Sequence, residues 1–148
     1  MPDGLVQAQA IQARAPRQSA ALPILGAGGA LRVVLITSRE TRRWVIPKGW
    51  IEPREAPSRS AAREAFEEAG LAGEAEADPI GSYAYAKRLA GGAVRPTEVL
   101  VFRYRVARLL HDWPEKRERE RKLFTPEAAA GLVKEPGLAE LLRSLRGA

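Results

Sequence analysis

Residues 49–71 read Gly49-Trp50-Ile51-Glu52-Pro53-Arg54-Glu55-Ala56-Pro57-Ser58-Arg59-Ser60-Ala61-Ala62-Arg63-Glu64-Ala65-Phe66-Glu67-Glu68-Ala69-Gly70-Leu71. Pro57 suits the first turn of a helix and Gly70 its C′ position, so the stretch reads as loop, short helix, stop. Ala61, Ala62, Ala65, Phe66 and Ala69 are expected on its buried side, the alanines small enough to let a sheet approach closely. At 100° per residue, Glu64, Glu67 and Glu68 share an arc of roughly 100°. Glu64 and Glu68 form an i,i+4 like-charge pair, which a bare helix disfavours by a few tenths of a kcal/mol. Only Arg63 offers Glu67 an opposite charge at helical spacing. A divalent cation is the simplest partner for such crowding.

The composition narrows the choice of metal. The chain has 148 residues, 45% hydrophobic and 28% charged, about one globular domain. It has no cysteine, which excludes disulfides and thiolate metal sites, and its single histidine, His111, excludes a multi-histidine site. Side-chain ligands must then be mainly oxygen, the chemistry of Mg²⁺, Mn²⁺ or Ca²⁺. The net charge is +6 and the isoelectric point about 10.2. An acidic motif inside a basic protein fits acids that hold metal and bases that attract a polyanion. No run approaches the ~20 apolar residues of a membrane span. Residues 1–18 read as a flexible N-terminal segment and 19–148 as one domain, with the cytoplasm as the expected location.

Outward from the helix, strands are expected over Ser19–Leu25, Leu31–Thr37 and the short Trp44–Ile46. Pro47 ends the last of these, and Lys48–Glu55 reads as a loop. Ile80–Arg88 and Glu98–Val106 read as two more strands, joined by the turn-rich Leu89–Pro96. In the second strand Leu100, Phe102, Tyr104 and Val106 make one face fully apolar, and the other face turns basic at Arg103 and Arg105. Glu115–Lys122 is a charged run closed by Leu123 and Phe124. Thr125 caps a helix opened by Pro126, and a last helix spans Leu138–Arg146. The mixture lacks regular βαβ alternation, which gives the α+β class.

The quoted stretch also fits a family pattern. Gly49, Glu55, Arg63, Glu64, Glu67, Glu68, Gly70 and Leu71 match in register the Nudix box, G-x5-E-x7-R-E-U-x-E-E-x-G-U, with only Ala65 departing from a bulky aliphatic U. The chain therefore resembles a Nudix hydrolase, a family that cleaves organic diphosphates. The resemblance implies an α/β/α sandwich with a mixed β-sheet and a loop–helix–loop catalytic motif. It implies Mg²⁺ as cofactor, with Mn²⁺ the alternative. Glu67 and Glu68 are the first-choice metal ligands; Glu64 is either a ligand or the group that takes the proton of the attacking water. The resemblance also gives the carbonyl of Lys48 to the metal. Arg63 is expected to clamp Glu55 or Glu64 by a charge-assisted bond, and Gly49 and Gly70 to serve the backbone.

Lys48, Arg42, Arg43 and Arg54 crowd the same neighbourhood, and Lys87 and Arg88 lie further along; all six are candidate partners of a polyphosphate. Trp50 and Tyr83 read equally well as base-stacking groups or as wall and core. The ADP-ribose type of Nudix enzyme places a proline sixteen residues past the box, where this chain has Lys87. The dinucleoside-polyphosphate type often places a tyrosine eighteen past it, where this chain has Leu89. Over roughly residues 20–145 the pattern is most similar to the diphosphoinositol polyphosphate phosphohydrolase branch. The shared runs are Arg43–Pro53, Ala62–Gly70, Asp112-Trp113-Pro114-Glu115 and Arg119–Phe124. It departs at Leu123, where that branch usually has tryptophan. The resemblance implies Mg²⁺-dependent hydrolysis of a phosphoanhydride bond in a highly anionic polyphosphate of the diphosphoinositol polyphosphate or diadenosine polyphosphate type, so the expected partner is such a small molecule, with nucleic acid less favoured and no membrane. Other readings are a Nudix pyrophosphatase for nucleotides or 5′-triphosphate RNA, and a noncatalytic binding module. The intact set of glutamates argues against the module.

Overall fold

The computed structural model describes residues 17–145. The expected flexible segment lies outside them up to residue 16, and residues 17 and 18 already belong to a strand. In chain order the strands are β1 (Arg17–Leu25), β2 (Arg32–Thr37), β3 (Trp44–Val45), β4 (Lys48–Trp50), β5 (Leu71–Ala75), β6 (Gly81–Arg88), β7 (Val94–Leu109) and β8 (Arg121–Phe124). The helices are α1 (Pro57–Ala69), between β4 and β5, and α2 (Pro126–Leu132) and α3 (Pro136–Arg143) after β8.

All eight strands join one sheet, whose central path runs β3-β2-β1-β7-β5. The β1–β7 pair is parallel, with Ala20 opposite Val101, and the other pairs are antiparallel. The sheet is therefore mixed, and both faces of its centre are covered. On one face Ala61, Ala65 and Ala69 of α1 pack on Ala21, Val34, Ile36, Phe102 and Tyr104. On the other, Ala129, Leu138 and Leu142 of α2 and α3 pack on Leu22, Val33, Leu35, Val99 and Val101. Burial on both sides is why β2 is a continuous apolar run. It is also why both faces of β7 are apolar at its middle.

Several boundaries differ from the sequence expectation. Lys48–Trp50, read as loop, is a strand because it pairs with β1, Lys48 opposite Ala20. Val94–Pro96, also read as loop, extends β7 along β6. Pro96 stands there opposite Ala86 of β6. Leu71–Ala75 carries no strand pattern in sequence, yet it pairs with β7 through a bulge at Ala72/Gly73. Phe66, expected in the core, is 44% exposed. It sits off the Ala61-Ala65-Ala69 stripe, beside which Ala62 also packs against the sheet. The final helix is Pro136–Arg143, two residues earlier at its start than expected.

Candidate active site

The polar cleft of about 400 Å³ at the open end of β4 and α1 is lined by Gln18, Arg39, Lys48, Gly49, Trp50, Glu52, Glu64, Glu68, Lys87, Glu115 and Arg119. Local rules put α1 there. Pro57 stands in its first turn, and Gly70 closes it with φ 64°, in the left-handed region where a side chain is strained. This fixes the phase of the helix so that its alanines meet the sheet and Glu64 and Glu68 turn to the cleft.

Gly49 makes that arrangement possible. A Cβ on it would lie 2.2 Å from Oε2 of Glu64, so the carboxylate rests directly on bare backbone. Glu64 is 8% exposed and receives a 2.9 Å bond from the Arg63 guanidinium. The same guanidinium donates to Glu55 at 3.0 Å, and Ser60 donates to the same Glu55 oxygen at 2.7 Å. Arg63 thus holds both of the carboxylates between which its sequence left a choice. Its bond and that of Ser60 keep the Glu55 carboxyl below the usual range. Glu67 is more exposed and stands 3.9 Å from Arg63.

Glu68 accepts the backbone N–H of Lys48 at 3.2 Å and faces Arg119 at 3.6 Å. Burial pushes its carboxyl up to about 8, against the pull of Arg119, and the negative Glu64 adds to the rise. Burial likewise raises Glu64. Two neighbouring carboxylates that the fold makes reluctant to ionise call for added positive charge. The donors are hard oxygens suited to Mg²⁺ or Mn²⁺ and line an open polar cleft, so the residues fit a divalent cation. Among the described residues no three acidic side chains are already drawn together. Glu67 stands at the margin and would have to turn inward.

Of the expected polyphosphate partners, Lys48 and Lys87 line the cleft. Burial lowers the pKa of Lys48, opposed chiefly by Glu68. Arg43 is engaged elsewhere, in a two-pronged pair with Glu135 at 2.8 and 3.4 Å. Arg42 donates to the Glu118 carbonyl and pairs with Glu120 at 3.7 Å. Arg54 and Arg88 are exposed and outside the lining. Tyr83 is core, 6% exposed.

Arg39, Glu115 and Arg119 line the cleft without having been singled out for it. Arg119 is nearly buried, bonded to Glu115 at 2.8 Å and to the Thr37 carbonyl at 3.1 Å. Its signal was the Arg119–Phe124 run, whose role has no local signature. The nearby Asp112–Glu115 run proves to serve α1. The Trp113 ring lies against Gly70, where a Cβ would come within 2.3 Å of it, and its indole N–H donates to the Glu68 carbonyl at 3.1 Å. Arg121 stacks 4.2 Å from the center of that ring and donates to the carbonyls of Ala69, Gly70 and Leu110. The N–H of Glu115 donates to the Glu67 carbonyl at 3.0 Å. The last carbonyls of the glutamate-bearing helix are therefore capped from residues 113–121.

Comparison with known proteins bears on the family and the fold. A family model described as the NUDIX domain matches residues 15–145. Mouse (Mus musculus) diphosphoinositol polyphosphate phosphohydrolase 3-alpha is 33% identical over 122 residues, covering 77% of this chain and 68% of that one. Nudix hydrolase 12, mitochondrial, of Arabidopsis thaliana is 31% identical over 120 residues, covering 76% of this chain. The match spans 59% of that plant protein's length and 60% of its relative Nudix hydrolase 13. Among solved structures, a C. elegans Ap4A hydrolase binary complex superposes with TM-score 0.65 at 20% identity, covering 86% of this chain and 93% of that one. A NUDIX hydrolase from Nitrosomonas europaea gives 0.67 at 17% identity, covering 89% and 88%. At such identities these two speak for the fold.

Proposed function

This chain belongs to the Nudix hydrolase family, and from that premise we propose that it hydrolyses a phosphoanhydride bond in a highly anionic polyphosphate, with Mg²⁺ as its metal. The observation that carries the reading is a single cleft in which Glu64 and Glu68 face Lys48, Lys87, Arg39 and Arg119. Acids for a cation and bases for phosphate line one polar space.

Glu64, Glu67, Glu68 and the Lys48 carbonyl would hold the cation, which supplies charge neutralisation at phosphate and makes a water more acidic. Lys48 and Lys87 bind the phosphate chain beyond the scissile bond, while Arg119 is engaged by Glu68, Glu115 and the Thr37 carbonyl and Arg39 by Glu118. Arg63 orients Glu64 and ties it to the loop through Glu55, so the acid is fixed before substrate arrives. With one oxygen engaged by Arg63, Glu64 keeps the other for a ligand role or for taking the proton of the attacking water. Similarity to a diphosphoinositol polyphosphate phosphohydrolase supports a substrate rich in phosphate.

The test is a panel in Mg²⁺ of diadenosine penta- and hexaphosphate, diphosphoinositol pentakisphosphate, ADP-ribose, NADH and dNTPs. The expected result is turnover of the polyphosphates that EDTA abolishes. Metal-independent turnover, or none across the panel, would overturn the reading.

A further inference from the structure

Ser19 of β1 is fully buried, and among the described residues its Oγ has no hydrogen-bond partner. A buried hydroxyl in that state is destabilising, because folding strips its water and returns nothing. Side chains alternate along a strand, so Ser19 points to the same face as Ala21, which packs under α1. Its neighbour in β7, Leu100, packs on that face too, and its side chain offers no acceptor. Its partner in β4 is Gly49. Residues paired in this way carry their Cβ atoms about 4.5–5.5 Å apart. Gly49 has no Cβ, and Oε2 of Glu64 occupies the place one would have. The cross-strand neighbour of the idle hydroxyl is therefore the carboxylate of Glu64.

We propose that Ser19 is a positioning residue, whose hydroxyl donates to Glu64 from the sheet side and fixes that carboxylate when a divalent cation is bound. This rests on the metal reading above and deepens it. In the free protein Glu64 is held by Arg63, whose guanidinium is shared with Glu55 at 3.0 Å and with Glu67 at 3.9 Å. Arg63 is partly exposed and reaches Glu64 from the outer side of the helix, whereas Ser19 stands beneath it in the dry layer between α1 and the sheet. A carboxylate gripped from one side can still turn about its own axis. Gripped from two, it presents its remaining lone pairs in one direction, as a group that supports a metal ligand requires. An ionised carboxylate has about four lone-pair sites, so the bond from Ser19 does not compete with that from Arg63. A serine hydroxyl reaches its acceptor by turning among three staggered rotamers, with the backbone of β1 unmoved.

The experiment compares wild type and Ser19→Ala by calorimetric titration with Mn²⁺ in the absence of substrate, and by thermal melting in EDTA and in Mn²⁺. Ser19→Ala removes a hydroxyl that has no partner in the free protein, so its midpoint in EDTA should equal that of the wild type or exceed it. Its Mn²⁺ affinity should fall about tenfold, the usual consequence of losing a group that supports a metal ligand. The rise in midpoint that Mn²⁺ produces should shrink accordingly. At saturating Mn²⁺ the remaining defect should fall on kcat, with KM for diadenosine hexaphosphate changed less than about twofold, since Ser19 touches no substrate. A midpoint in EDTA several degrees below the wild type's would show that the hydroxyl already serves the free fold, and overturns the proposal. Mn²⁺ bound equally well by both proteins, within about twofold, removes the proposal and leaves the metal reading standing. A wild type that binds no Mn²⁺ removes both.

Discussion

At the scale of single residues, the acids and the bare backbone beneath them set the chemistry. Glu68→Gln and Glu67→Gln should retain the fold and lose on the order of 10³-fold in kcat, because each removes a charge that the transition state uses. Near-wild-type kcat with normal metal affinity in either variant would remove that residue from the site. Gly49→Ala is the sharper test of geometry. The added methyl must push away a Glu64 carboxylate that Arg63 holds in place. A displacement of about 1 Å in a catalytic group can cost 10²-fold, so kcat should fall at least tenfold with little change in thermal midpoint. Circular-dichroism melting beside steady-state kinetics separates the two effects. These residues were legible in sequence because their spacing is fixed within one short stretch. What Gly49 makes room for was not, since the approach of Glu64 to β4 depends on how α1 lies on the sheet.

At the scale of elements, α1 was readable from Pro57, Gly70 and the alanine stripe, all local signals. β5 was not, since Leu71-Ala72-Gly73-Glu74-Ala75 has no alternation and becomes a strand only through β7. The same is true of β4, and of the cap that Trp113 and Arg121 place on α1 from more than forty residues away. Trp113→Ala removes both the ring over Gly70 and the bond to the Glu68 carbonyl. It should cost on the order of 2 kcal/mol, or about 4–8 °C in melting temperature. Trp113→Phe keeps the ring and loses only the N–H, so its midpoint should fall between the two. If Trp113→Ala melted with the wild type, the capping role would have to be given up. Among the described residues no helix is long and apolar enough to cross a membrane.

At the scale of the whole molecule, the +6 charge and the lysines and arginines at the cleft should favour long polyphosphates over dNTPs. The preference should shrink as salt rises, because part of the attraction is screened. Equal kcat/KM for dATP and diadenosine hexaphosphate at low salt would contradict it. The α/β/α layering followed in sequence only from the family pattern; periodicity alone gave strands and helices in a mixed order. The order of assembly is a separate matter. β1 is made first, yet its parallel neighbour β7 is made some eighty residues later, and β2 waits for β8. The carbonyls at the end of α1 wait for residues 113–121. A chain emerging from the ribosome can form the helix that bears Glu64 and Glu68, but it cannot seat it until Arg121 has been synthesised. From the synthesis of Glu68 to that of Arg121, nascent chains therefore carry the acids with no cleft to hold them, and a chain cut short before β8 should have no hydrolytic site.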